Sequence, residues 1–318
     1  MKIRLGYVAL SKTLDNITTS STITYTNYKD LSDSEKKDKL NKIIISNFID
    51  LESILNYNIK NNIHFYRLTS KLIPLATHDK VEFEYINKYK EYYKKIGDLI
   101  NSNNIRIDTH PDQYCVLNST NNDIVSSSIS ILKYHKNILK SFEIINPIII
   151  LHVGSSVFGK EKSVKRFINN FNKLDKDLWN MIALENDDKI YNIKDVLNLC
   201  KYLKIPMVLD YHHYICNNDG ENLYEYIEEI FNTWNNTNLI PKIHFSSPKN
   251  KTRKDMRSHH DYINVDDFIK FIESVKIINR DFDVMLEAKM KDDALFRLVR
   301  ELKYKTNYKF IDETTFIV

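Results

Sequence analysis

The sequence contains 318 residues with a formal net charge of +4, and 42% of them are hydrophobic. This length permits one large α/β barrel or two smaller domains, and it can bury a core that needs no disulfides. The three cysteines form no CxxC motif. The first residues resemble a strand rather than a signal peptide, and no apolar run is long enough to span a membrane. We therefore expect a cytoplasmic protein with reduced thiols.

Short β-like runs alternate with longer amphipathic segments along the whole chain. The predicted strands are Ile3–Val8, His64–Leu68, Ile105–His110, Ile148–Val153, Met181–Glu185, Met207–Asp210, Lys242–Phe245 and Asp283–Glu287. The predicted helices are Leu31–Asn58, Tyr85–Ile100, Ile124–Ile144, Val164–Leu174, Ile193–Leu203, Leu223–Trp234, Val265–Ile278 and Ala294–Leu302. This alternation predicts a parallel sheet closed into a single (β/α)₈ TIM barrel, with residues 1–318 forming one domain.

Polar side chains stand at the ends of the predicted strands. In chain order these ends are Tyr7, Arg67, His110, His152, Glu185, Asp210, His244 and Glu287. In a barrel the C-terminal strand ends converge on one mouth, where active sites are built. Because buried imidazoles and carboxylates are disfavoured unless they share a metal or one another's charge, the pattern predicts a metal cluster, with a metal-free acid/base site as the alternative.

The candidate ligands carry nitrogen and oxygen donors, which suit Zn²⁺ or Mn²⁺. They are His110, His152, Glu185, Asp210, His213, His244, His259 and Glu287. So many candidates favour two or three ions, with Glu185 as a bridging carboxylate, and such sites stabilise phosphoryl displacement. Two alternatives stay open: His213 could be a loop histidine that caps a helix, and the sequence does not decide between His259 and its neighbour His260.

Lys242 lies two residues before His244 on the same strand, so both side chains are predicted to point into the barrel. A buried lysine needs a partner or a neutral amine. We expect either a salt bridge to Glu185 or Asp210, or a share in metal binding after modification of the amine.

The loop Ser247–Arg257 follows the seventh predicted strand and is strongly basic. It carries Lys249, Lys251, Arg253, Lys254 and Arg257. Beside a phosphodiester-type site, these cations are predicted to clamp a nucleic-acid backbone, with solvated surface as the alternative. Tyr7, Gln113 and Tyr114 are predicted to stack on or wedge between bases, although Tyr7 also fits core packing at the barrel rim.

Longer motifs cover nearly the whole chain. They are IRLGYV, FYRLTSKLIPLATH, THPDQYCVLNS, ILHVGSSVFGKEKS, IALENDD, VLDYHHY, KIHFSSPK, SHHDYI and VMLEAKMKD. In these motifs the sequence resembles the UV damage endonuclease family. The resemblance implies a barrel related to endonuclease IV, whose metal cluster serves to incise double-stranded DNA on the 5′ side of UV photoproducts.

The resemblance also implies roles for single residues. The eight ligands are the same as those above, with Mn²⁺ as the expected metal and Zn²⁺ as the alternative, and catalysis would fall to Glu185, Lys242 and Glu287. Lys242 matches a lysine that the family can carry in carboxylated form. Ser11 stands where an Asn partner to the lesion-probing Tyr7 is expected, and its side chain has a shorter reach.

Other functions fit parts of the pattern. A metal-dependent sugar isomerase or epimerase would use the same ligand types, and an abasic-site endonuclease would use the same chemistry. A catalytically silent DNA-binding protein fits the complete ligand set poorly. We expect a monomer that acts at the nucleoid on DNA carrying a lesion, with no membrane partner.

Overall fold

The computed structural model of the protein describes residues 1–250, 252 and 255–318. Eight strands alternate with helices in the predicted order. They are β1 (Lys2–Tyr7), β2 (Phe65–Leu68), β3 (Arg106–Thr109), β4 (Ile148–His152), β5 (Ile182–Glu185), β6 (Met207–Asp210), β7 (Lys242–Phe245) and β8 (Phe282–Leu286). A short hairpin, β9 (Lys309–Phe310) and β10 (Thr315–Ile317), follows them and was not predicted.

Helices cover the outside of the sheet. They are α1 (Tyr25–Lys29), α2 (Asp33–Lys60), α3 (Lys90–Ser102), α4 (Asn122–Ser141), α5 (Lys160–Phe171), α6 (Lys176–Trp179), α7 (Ile193–Leu203), α8 (Tyr211–Cys216), α9 (Ile227–Asn232), α10 (Val265–Val275) and α11 (Lys291–Lys305). The short helices α1, α6 and α8 were not predicted. None of the described helices is both long and apolar enough to cross a membrane.

The seam of the barrel lies between β1 and β2. The strand order is β2-β3-β4-β5-β6-β7-β8-β1-β10-β9, and β1 pairs in parallel with β8. At the mouth, β1 and β2 meet at the bridge between Val8 and Arg67. At the other end β1 pairs antiparallel with β10, from Lys2 opposite Ile317 to Arg4 opposite Thr315. The C-terminal hairpin therefore fills the part of the seam that β2 leaves open.

Charged side chains fill the N-terminal end of the barrel interior. Asp283 is fully buried and accepts hydrogen bonds from Arg4 at 2.6 and 2.8 Å and from Arg106 at 2.8 Å. Although burial opposes ionisation, the two guanidinium groups hold the pKa of Asp283 below its usual value. The opposite wall of the interior is apolar and consists of Ile148, Ile150, Ala183 and Val208, backed by Trp234.

Burial of His135 predicts a pH dependence of stability. This α4 histidine is 2% exposed, and burial, assisted by the nearby His110, lowers its pKa from 6.5 to about 3. Below pH 6.5 the unfolded chain binds a proton that the folded chain excludes. His135 therefore favours folding above pH 6.5, and this contribution is lost at roughly 1.4 kcal/mol per pH unit as the pH falls toward 3.

Urea unfolding between pH 4 and 7 measures this effect when wild type is compared with His135→Gln, which is neutral throughout. The wild type should lose stability more steeply toward acid. Parallel pH profiles for the two proteins would contradict the buried, neutral imidazole.

Candidate active site

Glu185 is the centre of the cluster at the barrel mouth. It ends β5 and is 1% exposed. Its Oε2 lies 2.9 Å from His110 Nε2 and 3.8 Å from His152 Nε2. Its Oε1 lies 2.8 Å from His244 Nδ1 and 3.6 Å from His213 Nδ1. Four imidazoles from four loops and strands thus converge on one carboxylate.

Three overlapping groups of donors have ligand atoms within 4.8 Å of one another. The groups are His110, His152 and Glu185; Glu185, Asp210 and His213; and Asp210, His244 and Glu287. Glu185 and Asp210 each belong to two groups, which is the arrangement expected of carboxylates that bridge neighbouring ions.

The remaining candidate, His259, lies at the edge of these groups. Its Nδ1 is 3.9 Å from Glu287 Oε2. Its neighbour His260 is exposed and accepts a hydrogen bond from the backbone of Tyr262. Of the two adjacent histidines, His259 is therefore the one that faces the cluster.

His213 reaches the cluster because a helix starts at Asp210. The Asp210 side chain caps α8 and accepts a hydrogen bond from the His213 backbone N–H at 2.7 Å. This turn directs the His213 ring toward Glu185, while the neighbouring His212 is buried against Ser246 Oγ at 2.7 Å. The hydrogen bond between Asp210 and His213 thus accounts both for the start of α8 and for the position of the His213 imidazole.

The residues at the mouth fit a metal. Asp210 Oδ2 and His152 Nδ1 are buried and have no hydrogen-bond partner among the described residues. Burial raises the pKa of Asp210 to about 8, so without a cation this carboxyl favours its neutral form near neutral pH. A divalent ion would supply the missing partner, and the nitrogen and oxygen donors are those that Zn²⁺ and Mn²⁺ accept.

Arg67 is a part of the cluster for which no role was predicted. Its Nη1 donates to Glu287 Oε1 and its Nη2 to His244 Nε2, both at 2.6 Å. Because a guanidinium only donates, His244 accepts at Nε2 and carries its proton on Nδ1, which faces Glu185. Arg67 therefore sets the tautomer of His244, and burial lowers the pKa of that imidazole to about 4.

Lys242 does point into the barrel, but its expected partners were wrong. Its ammonium pairs with Asp108, and both side chains are fully buried. Neither Glu185 nor Asp210 is within salt-bridge distance, because Lys242 lies one layer below the mouth, 4.8 Å from the centre of the Phe65 ring. Burial lowers the pKa of Lys242 well below its usual value.

Tyr7 is not available to probe DNA, and that prediction was wrong. It is fully buried, and its hydroxyl donates to Asn58 Oδ1 at 2.8 Å. The alternative of core packing at the rim is the correct one. Ser11 is also buried, and its hydroxyl donates to Asp292 at 2.6 Å instead of facing a ligand.

Gln113 and Tyr114 lie on the exposed loop that follows His110, and Tyr114 is 70% exposed. Gln113 lines a mouth cavity of about 430 Å³ whose other walls include Arg67, His110, His152, Glu185, His213 and Glu287. A larger cavity of about 560 Å³ opens at the other end of the barrel, beside Trp179 and Lys204, away from the cluster.

The basic loop begins and ends beside the mouth. Lys249 and Arg257 are exposed and lie 3.8 Å from Asp255 and 3.6 Å from Asp188, respectively. The loop closes through a backbone hydrogen bond from Lys249 to Ser258 at 2.7 Å. Lys251, Arg253 and Lys254 lie outside the described residues.

The parallel strands close into a barrel, and histidine and carboxylate side chains gather at their C-terminal ends. This architecture is that of a (β/α)₈ barrel enzyme with a metal-binding type of active site. The UV-endonuclease UvdE family matches residues 3–315, and the chain belongs to this family. It is 40% identical over 316 residues to the UV DNA damage endonuclease of Bacillus mycoides (strain KBAB4), with 99% of each chain covered.

Solved structures agree with this assignment. The crystal structure of SacUVDE matches with a TM-score of 0.85 and 36% identity, over 95% of this chain and 98% of that chain. Endonuclease IV from Thermus thermophilus matches with a TM-score of 0.55 and 11% identity, over 80% of this chain and 95% of that chain, and shares the fold. The family membership argues against a sugar isomerase or epimerase.

The Lys242–Asp108 pair predicts a large effect on stability. Asp108→Asn leaves a buried ammonium without a counter-charge and should lower the free energy of unfolding by about 3 kcal/mol. Urea unfolding provides the measurement. The double change Asp108→Leu and Lys242→Met removes both charges and should recover much of the loss.

The matched control is Asp98→Asn, which breaks the exposed ion pair with Lys94 at 2.7 Å. This change should have little effect on the free energy of unfolding, because solvent screens an exposed pair. Equal losses of unfolding free energy at Asp98 and Asp108 would show that the buried pair stabilises the fold no more than an exposed pair does.

Proposed function

We propose that this chain is a metal-dependent endonuclease that incises the DNA backbone on the 5′ side of UV photoproducts, with residues 1–318 acting as one domain. The observation that carries the proposal is the set of three overlapping histidine and carboxylate groups at the mouth, in a member of the UV-endonuclease family. The substrate is double-stranded DNA carrying a lesion. The enzyme acts as a cytoplasmic monomer at the nucleoid.

The proposed metal ligands are the eight sequence candidates, with Glu185 and Asp210 each shared between two groups. Two or three divalent ions would bind, with Mn²⁺ preferred and Zn²⁺ the alternative. When bound, they would stabilise the charge that develops on the phosphoryl oxygens during displacement. Glu185, Glu287 and Lys242 are the proposed catalytic residues.

The chain's own residues prepare the site for this chemistry. Arg67 donates to Glu287 and so orients this carboxylate at the mouth. Cations of the basic loop, which are Lys249, Lys251, Arg253, Lys254 and Arg257, clamp the DNA backbone without regard to sequence.

The direct test uses purified protein, Mn²⁺ and end-labelled duplexes that carry one defined photoproduct, one abasic site or no lesion. We expect a single nick on the 5′ side of the photoproduct and none in undamaged DNA. Absence of cutting at the photoproduct by metal-loaded protein would overturn the proposal. Preferential cutting at the abasic site would instead make that lesion the main substrate.

Removal of the shared carboxylate tests the chemistry. Glu185→Gln preserves shape but removes the charge that two donor groups share, and it should slow cutting by about a thousandfold, equivalent to about 4 kcal/mol of barrier. Single-turnover cutting and metal analysis are measured together. The partly buried Glu301→Gln, on α11, is the control. Near-normal cutting by a fully metal-loaded Glu185→Gln protein would refute the role.

Lesion recognition is proposed for Gln113 and Tyr114. They follow the ligand His110 on the same loop and are exposed at the mouth. A photoproduct lowers the cost of opening the duplex by up to a few kcal/mol, and these side chains would fill the gap that the damaged nucleotides leave.

Changing both Gln113 and Tyr114 to Ala should reduce cutting of photoproduct DNA much more than binding to undamaged DNA. Metal content should stay the same, because neither residue is a proposed ligand. Exposed Tyr202→Ala on α7 serves as the aromatic control. Equal losses on damaged and undamaged duplexes would show that the pair only supports general binding.

A further inference from the structure

Buried hydrogen bonds join the loops that follow β3 and β4 at the barrel mouth. Asn118 lies on the loop after β3 and is fully buried. Its Nδ2 donates to the Ser155 carbonyl at 2.6 Å, and its Oδ1 accepts from the Ser155 N–H at 2.9 Å. These two reciprocal bonds between one side chain and one backbone unit fix the position of the first loop against the second.

Further contacts converge on the same pair. Tyr191, on the loop after β5, donates its hydroxyl to the Ser155 carbonyl at 2.8 Å. Arg166 of α5 donates from Nε to the Asn118 carbonyl at 3.0 Å. A Cβ atom at Gly154 would lie 2.6 Å from Asn118 Oδ1, so the backbone approaches the amide as closely as only glycine allows. Asn118 is thus the point where the loops after β3, β4 and β5 meet.

The segment between His110 and Asn118 forms an arch that is held at both ends. At its first end, His110 Nε2 lies 2.9 Å from Glu185 Oε2 in the cluster. At its second end, Asn118 binds the loop after β4. The exposed side chains of Gln113 and Tyr114 lie near the middle of the arch. Their position therefore depends on the bonds of Asn118 as well as on the cluster.

Other bonds hold the second half of the arch against helices. Ser128 Oγ of α4 accepts from the Val116 N–H, and Asn170 Nδ2 of α5 donates to the Leu117 carbonyl, both at 2.8 Å. Asn118 differs from these two anchors because it ties the arch to a neighbouring loop of the mouth itself. A change at Asn118 should therefore move the arch relative to the cluster.

We propose that Asn118 is a positioning residue for lesion recognition, which holds Gln113 and Tyr114 where they enter a duplex that a photoproduct has weakened. This inference rests on the proposed function. Side chains that are held in place before binding lose less entropy when they bind. A misplacement of about 1 Å can slow an enzyme by about a hundredfold. Undamaged DNA, which is bound through its backbone, does not need the pair in place.

The test is a double-mutant cycle on single-turnover cutting of photoproduct duplex by the metal-loaded protein. Asn118→Ala removes both bonds to Ser155 and should slow cutting about tenfold or more, with unchanged metal content and unchanged affinity for undamaged duplex. In a protein that already carries Gln113→Ala and Tyr114→Ala, the same change should alter the rate by less than about twofold, because Asn118 acts through that pair. Tyr191→Phe deletes one hydroxyl and should show the same coupling with a smaller effect and less disturbance of the fold.

Asn47 provides a matched control. It is fully buried, its Nδ2 donates to the Ser21 and Leu72 carbonyls at 3.0 and 2.9 Å, and its Oδ1 accepts from the Ser21 N–H at 2.9 Å. It thus ties the loops after β1 and β2 as Asn118 ties those after β3 and β4. Asn47→Ala should destabilise the protein about as much as Asn118→Ala does. Its effect on cutting should be the same with and without the Gln113 and Tyr114 changes.

Equal slowing by Asn118→Ala in both backgrounds would overturn this inference alone, because Asn118 would then only support the fold. Loss of metal from the Asn118→Ala protein would also overturn it, because Asn118 would then support the ligand His110. Normal cutting of photoproduct DNA by the Gln113→Ala and Tyr114→Ala protein would refute the lesion-recognition proposal and this inference with it. If the wild type does not cut photoproduct DNA, the proposed function itself fails.

Discussion

A lysine buried in the middle of a barrel must have a counter-charge, and the ion pair between Lys242 and Asp108 meets this requirement. The pair is one layer of a charged column along the barrel interior. Asp283 lies below it between Arg4 and Arg106, and the histidine and carboxylate cluster lies above it. Because side chains alternate along each strand, a register slip of one residue would break every layer at once. The column thus ties the strand register to the geometry of the mouth.

Arg67 connects this column to the cluster. It lies 3.7 Å from Asp108 on one side and donates to Glu287 and His244 on the other. The interior cations therefore do more than offset buried carboxylates, since one of them, Arg67, also donates a hydrogen bond to the proposed ligand His244. Asp210 Oδ2 and His152 Nδ1 have no hydrogen-bond partner among the described residues, and a cation would fit beside these atoms.

The sequence predicted the barrel and most of its mouth because both follow from local patterns. Apolar runs that end in a histidine or an acidic residue predicted the strands. Because strand ends converge at one mouth of a barrel, they also predicted that His110, Glu185 and His244 lie together. The alternation of side chains along a strand correctly predicted that Lys242 points into the barrel. The same alternation was not applied to Tyr7: its neighbour Gly6 faces the interior against Phe65, so Tyr7 must face the other way. The same rule, counted back from His110, would have found Asp108. The three-residue strand β10 has too few residues for a periodic signal, and pairings across the barrel need tertiary contacts that no local pattern encodes.

The C-terminal hairpin has a consequence for how the molecule forms. Both ladder partners of β1, which are β8 and β10, lie within residues 282–317. During synthesis the first strand must wait for segments that leave the ribosome nearly three hundred residues later, as the contact from Arg4 to Asp283 illustrates by spanning 279 positions. Pairing over such separations is slow. The contact from Arg67 to Glu287 spans 220 positions and also forms late, so the nascent chain holds an incomplete mouth until its last strands are made.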